Sequence, residues 1–526
     1  MRINFSNHFQ ILADKYADKG ALVHIERNRR YSFRQWHLLT NQIVNMMRDS
    51  LQMKTGDFFV NLLENDNMTL LHLPTIFKSD FTGAFTNFRD SLSEHQWQIS
   101  LVAPKVVFVE NALLASHYPM LNEMGVTIVC MDPLTAEHKF DGVLYFWDLI
   151  AQASTENPNI EIDDRDHIAL LRFTGGTTGK GKPATYSVDN WFGQRDSFFA
   201  LEDSDWTSAT RMLHIAPISH GSSLLLLPTF ATGGCTLTLN EPDLVRYCQT
   251  IEQELITHSL LVPTILYRLL ELQEAETLDL SSLQHMFYGA APMSPAKLKR
   301  LQQKFGNIFI QIYGSTEHIA IALSLSKKAH VIENDDDHRL SAAGQITPGI
   351  EVIIANDQGD ALLQGEIGEL YLRSRGTIIG YYQNLEKTAE EFVNGFWKSG
   401  DIGYQDEQGF VYIVDRKKDM IISGGFNIYA NEVEAAINSH PSVLMSAVVG
   451  IPHDDWGEAV HAEIVTQEGM SLDGAEIIQL VKKQLGAHKA PKSIQLVREL
   501  PLSSVGKVLR RVVRDKYWQN NKRGIG

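Results

Sequence analysis

The chain has 526 residues, of which 44% are hydrophobic and 21% are charged. This composition is typical of a globular protein, and the length suggests roughly two to four domains. The formal net charge is −16. A charge of this sign argues against general binding to nucleic acid or to an anionic membrane surface, because both partners are themselves negative.

The three cysteines, Cys130, Cys235 and Cys248, are far apart and form no Cys-x-x-Cys pair. They indicate neither a disulfide framework nor a zinc cluster, and they fit a reducing compartment. The first residues show no basic segment followed by an apolar stretch, so no signal peptide is predicted. No apolar run approaches the roughly 20 residues of a membrane span. The sequence therefore predicts a cytoplasmic protein with no membrane span.

Residues 1–165 alternate helical patterns with short apolar runs, such as Val106–Val109, that are typical of buried strands. The alternation continues across 166–325, where Ile168–Phe173 predicts a strand and 260–272 predicts a helix. Such alternation favours parallel sheets that are covered by helices. The predicted fold class is therefore α/β.

Around residues 330–410 the pattern changes to short apolar runs between turn signals, which predicts antiparallel or barrel-like strands. The acidic run 333–337 is interpreted as an exposed loop rather than a metal site. A further unit begins after residue 415, and its length suffices for a small α+β domain. We predict domains at 1–415 and 416–526. The second is expected to contain helices at 431–439 and 475–485 and strands at 444–449 and 460–465.

A segment rich in glycine and threonine, residues 174–182, follows the predicted strand Ile168–Phe173. Glycines let backbone N–H groups point at phosphate oxygens, and hydroxyls and lysines add further donors. The segment therefore predicts a nucleotide phosphate loop. The alternative, a flexible turn, has no need of the two lysines that the segment contains.

The spacing of Gly176, Gly181 and Lys182 also fits a Walker A loop, which is typical of phosphoryl-transferring NTPases. That loop needs Ser or Thr directly after the lysine as a ligand to Mg²⁺. This chain has Pro183 there, which has neither a hydroxyl nor an N–H. The Walker A interpretation therefore fails at its metal ligand.

Seven motifs in register resemble those of the acyl-adenylate-forming superfamily, which includes acyl- and aryl-CoA synthetases, luciferases and the adenylation domains of peptide synthetases. The similarity is closest to the acyl-CoA synthetases and runs from about residue 170 to 511. Two of the motifs are Tyr-Gly-Ser-Thr-Glu at 313–317 and Trp-Lys-Ser-Gly-Asp at 397–401. The others are 174–182, 288–293, 368–372 with 380–382, 415–427 and 501–507.

Three positions depart from the family pattern. Gly181 and Pro183 stand where the family usually has Pro and Gly, and His488 replaces a more common aromatic residue. None of these changes removes a group that is essential to the chemistry. The resemblance implies that 1–415 holds two helix-covered sheets and a distorted β-barrel, and that 416–526 is a small, mobile α+β domain.

The resemblance implies an AMP-forming acid–thiol ligase of the acyl-CoA synthetase type. Such an enzyme uses ATP and Mg²⁺ to convert a carboxylic acid to acyl-AMP, and then transfers the acyl group to coenzyme A. One alternative acceptor is the phosphopantetheine of an acyl carrier protein. Another alternative is a nonenzymatic nucleotide-binding relative, against which the retained Lys507 and Glu317 argue. No nucleic-acid partner is expected, and no oligomeric state is predicted.

The family's nucleotide contacts carry over to positions along most of the chain. Tyr313 would stack on adenine, and the Asp401 carboxylate would accept both ribose hydroxyls with the assistance of Arg416. Glu317 would ligate Mg²⁺, a hard cation that prefers carboxylate and phosphate oxygens. The implied ATP- and AMP-binding residues are Thr174, Gly175, Gly176, Thr177, Thr178, Gly179, Lys182, Gly289, Ala290, Ala291, Tyr313, Gly314, Thr316, Asp401, Arg416 and Lys507.

The resemblance implies a catalytic set of Lys507, Glu317, Thr174 and His220. Lys507 would bridge the attacking carboxylate and the phosphate during adenylation, because two anions must be brought together. The 416–526 domain would then rotate about a hinge at Lys418, so that a thiol can replace the lysine.

Three residues of the 416–526 domain are implied to bind coenzyme A. Gly424 and Gly425 would line the pantetheine tunnel, where a side chain would block passage. Trp456 would pack against the nucleotide part of coenzyme A, although an ordinary, partly buried tryptophan is the alternative interpretation.

The segment around His220 resembles the one that opens the acyl pocket in this family. Relatives that activate amino acids usually carry an Asp just after this position to bind the substrate ammonium, and this chain has Gly221. An amino-acid substrate is therefore disfavoured. Ser222, Met293 and Ile319 are further pocket candidates, and the largely apolar set favours a fatty or aryl acid of unspecified length.

Overall fold

The computed structural model of the protein describes residues 2–133, 140–174, 180–332, 338–503 and 506–518. Within these ranges, three large sheets carry most of the strands and helices cover them. This architecture confirms the α/β prediction of a large N-terminal part and a small C-terminal part. The predicted acidic loop at 333–337 lies outside the described residues.

The first sheet is parallel except at one edge, where the strand after the phosphate loop and one further strand pair in antiparallel fashion. Its central strands are buried along almost their whole length, as expected where helices cover both faces. In spatial order its described strands are Gly380–Tyr381, Pro183–Ser187, Ile168–Phe173, Thr82–Phe85, Phe58–Leu62, Val106–Val109, Thr127–Cys130 and Leu144–Tyr145.

The second sheet has a parallel half and an antiparallel half. The parallel half starts beside the edge strand Arg29–Ser32 and contains, in spatial order, Gly20–His24, Cys235–Thr238, Arg211–His214, His258–Leu261, His285–Gly289 and Phe309–Tyr313. The predicted barrel-like region forms the antiparallel half, which is hydrogen-bonded to the last of these strands. Its strands are Leu323–Leu325, Gly344–Ile346, Phe410–Arg416, Phe396–Gln405, Gly368–Arg373 and Glu351–Ala355, with Phe392–Val393 paired to Phe396–Gln405.

The third sheet belongs to the C-terminal part and has its own apolar core, which includes Val433, Ile437 and Ile464. Its strands are Phe426–Ile428, Ile421–Ser423, Gly457–Thr466, Val443–His453 and Ser493–Leu496. A short ribbon elsewhere pairs Arg2–Ile3 with Ile162–Asp163. The third sheet begins five residues after the predicted boundary at 416, and that boundary stays a prediction.

Several helices begin at a residue whose side chain caps the first turn. Ser32 and Ser187 form reciprocal capping boxes with the third residue of their helices, which satisfies backbone donors that would otherwise lack partners. The α-helices are Ser6–Lys15, Phe33–Asn45, Asn65–Lys78, Leu92–Val102, Asn111–Glu123, Phe146–Gln152, Val188–Phe199, Leu226–Ala231, Leu244–Glu254, Pro263–Leu270, Glu274–Thr277, Pro295–Phe305, Leu385–Glu391, Ala430–Asn438, Gly474–Leu485 and Arg510–Trp518. Shorter 3₁₀ or π turns occur at Met46–Ser50, Gly221–Leu225, Lys328–His330 and His338–Ser341.

The strand Ile168–Phe173 has the predicted bounds. The helix predicted at 260–272 is wrong at its start, because this stretch begins inside the strand His258–Leu261 and turns helical only at Pro263. Proline fits the first turn of a helix, where its missing N–H has no intrahelical partner to lose. No helix in the described ranges is both long and apolar enough to cross a bilayer.

Candidate active site

The candidate site lies at the carboxyl ends of two adjacent parallel strands of the second sheet, which end at Gly289 and Tyr313. Parallel α/β sheets commonly bind ligands at this edge. A Cβ atom on Gly289 would lie 2.1 Å from the carbonyl oxygen of Ile312, so this close approach requires glycine. Ala290 follows with a φ of 65° and is exposed. Small residues therefore leave space next to Tyr313.

The Asp401 carboxylate is held between two side chains. Tyr313 Oη donates to Asp401 Oδ2 at 2.6 Å, and Arg416 Nε donates to Oδ1 at 3.2 Å. The sheet register places Asp401 directly opposite Arg416. Burial and the charge of Asp401 raise the pKa of Tyr313, so its hydroxyl remains a donor at neutral pH. Both carboxylate oxygens are thereby oriented, and each retains a lone pair for a further donor.

Glu317 is nearly buried and is also oriented by hydroxyl groups. Its Oε1 accepts a hydrogen bond from Tyr381 Oη at 2.9 Å, and its Oε2 accepts one from Ser315. The Tyr381 hydroxyl also contacts the carboxylate of Glu391. Burial and the charge of Glu317, with a contribution from Glu391, raise the pKa of Tyr381. A fixed carboxylate of this kind has the oxygen donors that a Mg²⁺ ion prefers.

Thr174 and Lys182 close the base of the predicted phosphate loop. Thr174 N–H donates to the Lys182 carbonyl at 2.9 Å, and Lys182 N–H donates to Thr174 Oγ1 at 3.0 Å. Lys182 Nζ pairs with Glu391 at 2.7 Å and lies 3.1 Å from Tyr381 Oη. The loop base and Glu317 therefore meet through Tyr381. The predicted loop residues Gly175, Gly176, Thr177, Thr178 and Gly179 lie outside the described residues.

The segment between Tyr313 and Glu317 faces the same region. Gly314 is exposed and Thr316 is partly exposed. The carbonyl of Thr316 accepts a hydrogen bond from Tyr186 Oη at 2.7 Å. Because Tyr186 belongs to the strand that follows the predicted phosphate loop, this bond joins that strand to the 313–317 motif.

Lys507 reaches the site from the C-terminal part on a short turn. Ser503 N–H donates to the Lys507 carbonyl at 2.7 Å, and Lys507 N–H donates to Ser503 Oγ at 3.1 Å. Gly506, at a φ of 81°, allows the turn. Its carbonyl accepts a hydrogen bond from Thr264 Oγ1 at 2.7 Å, which docks the turn onto the N-terminal part.

The charged groups that act on Lys507 are the predicted ribose-binding and metal-binding residues and Arg416. Burial and the charge of Arg416 lower the pKa of Lys507 to about 8, and the negative charges of Asp401 and Glu317 oppose this shift. The ammonium group therefore lies in the electric field of the predicted ribose-binding and metal-binding residues. A lysine with this pKa is still mainly protonated at pH 7.

His220 is neutral at physiological pH. Burial and the positive charges of Arg172 and Lys507 lower its pKa to about 3. Gly221 has open space where a Cβ would lie. Ser222 is buried, and its hydroxyl is 2.8 Å from His214 Nδ1.

Two predicted pocket residues lie in different core clusters. Ile319 packs in the cluster that contains Ile218, close to the His220 segment. Met293 packs instead with Leu266 and Tyr267 in the core of the second sheet. The acyl-pocket assignments stay predictions.

Comparison with known proteins agrees with this arrangement. The profile of the family described as AMP-binding enzyme matches residues 9–382, and that of the AMP-binding enzyme C-terminal domain matches residues 432–507. The chain belongs to the AMP-binding enzymes. The match extends into the first 165 residues, where the sequence motifs alone had not reached.

Three similar proteins illustrate the family's range. The medium/long-chain-fatty-acid–CoA ligase FadD8 of Mycobacterium tuberculosis is 33% identical over 83% of this chain and 77% of its own. The fatty acid–[acyl-carrier-protein] ligase ScoC of Streptomyces coeruleorubidus is 32% identical over 67% of this chain and 68% of its own. The crystal structure of ATP-bound MatB from Rhodopseudomonas palustris superposes with a TM-score of 0.85 at 26% identity, over 99% of this chain and 100% of that one.

The residues predicted to bind coenzyme A lie on the C-terminal part of this AMP-binding enzyme. Gly424 and Gly425 have φ values of 57° and 84°, and Gly424 N–H donates to the Trp456 carbonyl at 3.0 Å. Trp456 is 41% exposed and stacks on His453 at 4.2 Å. Lys418 lies in the turn between the strands Phe410–Arg416 and Ile421–Ser423. The hinge and tunnel roles stay predictions.

Sequence reasoning gave no role to several residues of this site. Tyr381 and Glu391 link Lys182 to Glu317, yet the motif 380–382 hinted only at Tyr381, and no sequence signal indicated Glu391. Arg510 was also missed. It pairs with the fully buried Asp415 at 3.3 Å and with Glu434, and so ties the helix after Lys507 to the strand Phe410–Arg416 and to the helix Ala430–Asn438.

Proposed function

We propose that this AMP-binding enzyme activates a carboxylic acid as acyl-AMP and transfers the acyl group to the thiol of coenzyme A. In the first step, a carboxylate oxygen of the acid attacks the α-phosphorus of ATP. The bond to the bridging oxygen breaks, and pyrophosphate leaves with the electron pair. In the second step, a thiolate sulfur attacks the acyl carbonyl carbon, and AMP leaves.

One observation carries the proposal: Lys507 is in the field of Arg416, Asp401 and Glu317. The first step brings two anions together, so it needs positive charge at the point where they meet. Lys507 supplies a cation from outside the nucleotide-binding part. Its mainly protonated state at pH 7 suits it to hold the attacking carboxylate against the α-phosphate.

The remaining nucleotide contacts follow from the same geometry. The space bounded by Gly289, Ala290 and Tyr313 would take the adenine ring, with Ala291 at its rim. The Asp401 carboxylate, already oriented, would accept the ribose hydroxyls. The phosphate loop and Lys182 would hold the β- and γ-phosphates, with Gly314 and Thr316 alongside.

Glu317 fits the role of a Mg²⁺ ligand, because its carboxylate is buried, oriented and free of any direct pairing with a cation among the described residues. A bound Mg²⁺ ion would neutralise phosphate charge. Ser315 and Tyr381 would keep the carboxylate in place when ATP is absent.

We further propose that residues 1–415 and 416–526 act as separate domains and that the second rotates about Lys418 between the two steps. Rotation would break the hydrogen bonds that join the two parts, among them Thr264–Gly506 and Lys297–Val443. Rotation would withdraw Lys507 and bring the Gly424 and Gly425 turn to the acyl-AMP. Trp456, exposed and stacked on His453, would then bind the nucleotide part of coenzyme A.

Coenzyme A is the proposed acceptor because it is the acceptor in the name of FadD8, which is 33% identical. The similarity to ScoC keeps a carrier-protein phosphopantetheine as the second candidate. Both acceptors present the same thiol, so the residues of the first step serve either one.

The test is pyrophosphate release from ATP over a panel of fatty, aryl and dicarboxylic acids, with and without coenzyme A. Acid activation predicts release that depends on the acid, and AMP together with a thioester when coenzyme A is present. AMP formation without dependence on any acid would refute the proposal. Thioester formation on a carrier protein but not on coenzyme A would assign the other acceptor.

A further inference from the structure

Arg172 is a buried cation that has no counter-ion among the described residues. It lies on the strand Ile168–Phe173 and is only 3% exposed. Its Nη2 donates to Ser223 Oγ at 2.6 Å, but its buried Nε has no acceptor. The rings of Tyr186 and Trp191 lie 5.6 Å away. Leaving a buried charge unpaired is costly, so a protein rarely retains one without a use.

Two buried histidines near Arg172 also have ring nitrogens that lack hydrogen-bond partners. His72 is fully buried, and neither of its ring nitrogens has a hydrogen-bond partner. The Nε2 of His214 is likewise buried without a partner. Burial, followed by the charges of Arg172 and His214, lowers the pKa of His72. The arginine and histidine side chains offer donors and a positive charge, and none of them has an anionic partner among the described residues.

The position of Arg172 connects this cluster to the reaction centre. Ser223, which accepts from Arg172, also donates to the His220 carbonyl at 2.9 Å. The positive charges of both Arg172 and Lys507 act on His220 and help to lower its pKa. His220 is therefore close enough to both the buried arginine and Lys507 for their charges to act on it. An acid that is held by Lys507 and extends to His220 would reach the segment that Ser223 joins to Arg172.

We propose that the preferred substrate is a dicarboxylic acid, whose second carboxylate is bound by Arg172. This inference rests on the proposed acid activation and names the class of acid that the site takes. An arginine fork binds a carboxylate through two charge-assisted hydrogen bonds, and Nε is one of the two donors on its side edge. His72 and His214 would supply further donors to the same group.

A dicarboxylic acid differs from the fatty or aryl acid that the largely apolar pocket candidates favoured. A simple fatty acid would leave Arg172 unpaired and would also displace any water that solvates it. Hydrogen bonds to charged groups are strong enough to give a preference of about 10- to 100-fold for the dicarboxylic acid.

The experiment measures kcat/KM for pyrophosphate release with pairs of straight-chain acids that have the same number of carbons, one monocarboxylic and one α,ω-dicarboxylic. The wild type is compared with Arg172→Met, which removes the charge at similar length, and with Arg172→Lys, which keeps it. Arg246→Met is the matched control, because Arg246 is exposed on the helix Leu244–Glu254.

For at least one chain length, the wild type should prefer the dicarboxylic acid over the monocarboxylic acid by about tenfold or more. Arg172→Met should lose that preference while it still activates monocarboxylic acids, and Arg172→Lys should retain part of it. A wild type that activates monocarboxylic acids better at every length overturns the proposal and leaves acid activation standing. Because the wild-type ratio decides the outcome, a variant that fails to fold leaves the test intact. Absence of acid-dependent pyrophosphate release with every acid would overturn both.

Discussion

Replacing Lys507 by alanine separates the two proposed half-reactions. At a pKa of about 8, roughly nine-tenths of the Lys507 side chains are protonated at pH 7. The variant loses this cation from the point where the two anions meet, and Arg416 is committed to Asp401. Loss of one such charge-stabilising contact typically costs about 10²- to 10³-fold in rate, or about 2.7–4 kcal/mol.

The assay is ATP–pyrophosphate exchange for the first step, and thioester formation from supplied acyl-AMP for the second. Lys507→Ala should lose exchange by the factor above and keep thioester formation within about threefold, since the lysine is withdrawn in the second step. Lys483→Ala is a matched control, because Lys483 is exposed on the helix Gly474–Leu485 of the same part. Exchange at the wild-type rate, or equal loss in both steps, would refute the reasoning.

Three further predictions concern pH, the thiol path and stability. The kcat/KM for adenylation should fall as pH rises through about 8, because the free enzyme then loses the Lys507 charge. Lys507→Arg should move this alkaline limb of the pH profile to higher pH. A limb that does not move would assign the titration to another group. Gly424→Leu should spare pyrophosphate exchange but slow thioester formation by about tenfold or more. Gly469→Leu, at a similar φ of 74° but in open space, controls for backbone strain, and equal effects in the two variants would remove the tunnel role. Arg510→Met should destabilise the protein by about 3–5 kcal/mol, because Asp415 would be buried without its partner. Burial raises the pKa of Asp415 to about 6, so its carboxyl group becomes charged, at a cost in stability, as pH rises through this value. Chemical denaturation should therefore show that Arg510→Met loses more unfolding free energy at pH 8 than at pH 5. An equal loss at both pH values would contradict this assignment.

Local sequence signals are sufficient for elements whose hydrophobic pattern and flanking glycine or proline residues indicate the same bounds. The strand Ile168–Phe173 is an uninterrupted apolar run that ends at a glycine-rich segment, and its bounds came out as predicted. The stretch 260–272 is equally apolar, but there the pattern cannot separate a buried strand from a buried helix. Pro263 marks the division between them, and its preference for the first helical turn was the signal that was overlooked.

The residues of the candidate site also differ in how far the sequence can predict them. Glu317, Asp401 and Lys507 stand in motifs that can be recognised one at a time, so their residue types and order point to nucleotide chemistry. What joins them is contact between distant segments: Tyr381 lies 64 residues from Glu317 along the chain, and the two share a hydrogen bond. No pattern in the sequence encodes such a pairing.

By itself, the sequence determined the α/β class and the family, and it predicted a phosphate loop, because these depend on local periodicity and on short motifs whose chemistry is carried by residue type. The tertiary structure alone decided which side chains meet. It brought Lys507 from the C-terminal part to Asp401 and Glu317, and it buried Arg172 without an anion. Burial and pairing are properties of the packed chain, since the free energy of a charge depends on the groups that replace its water.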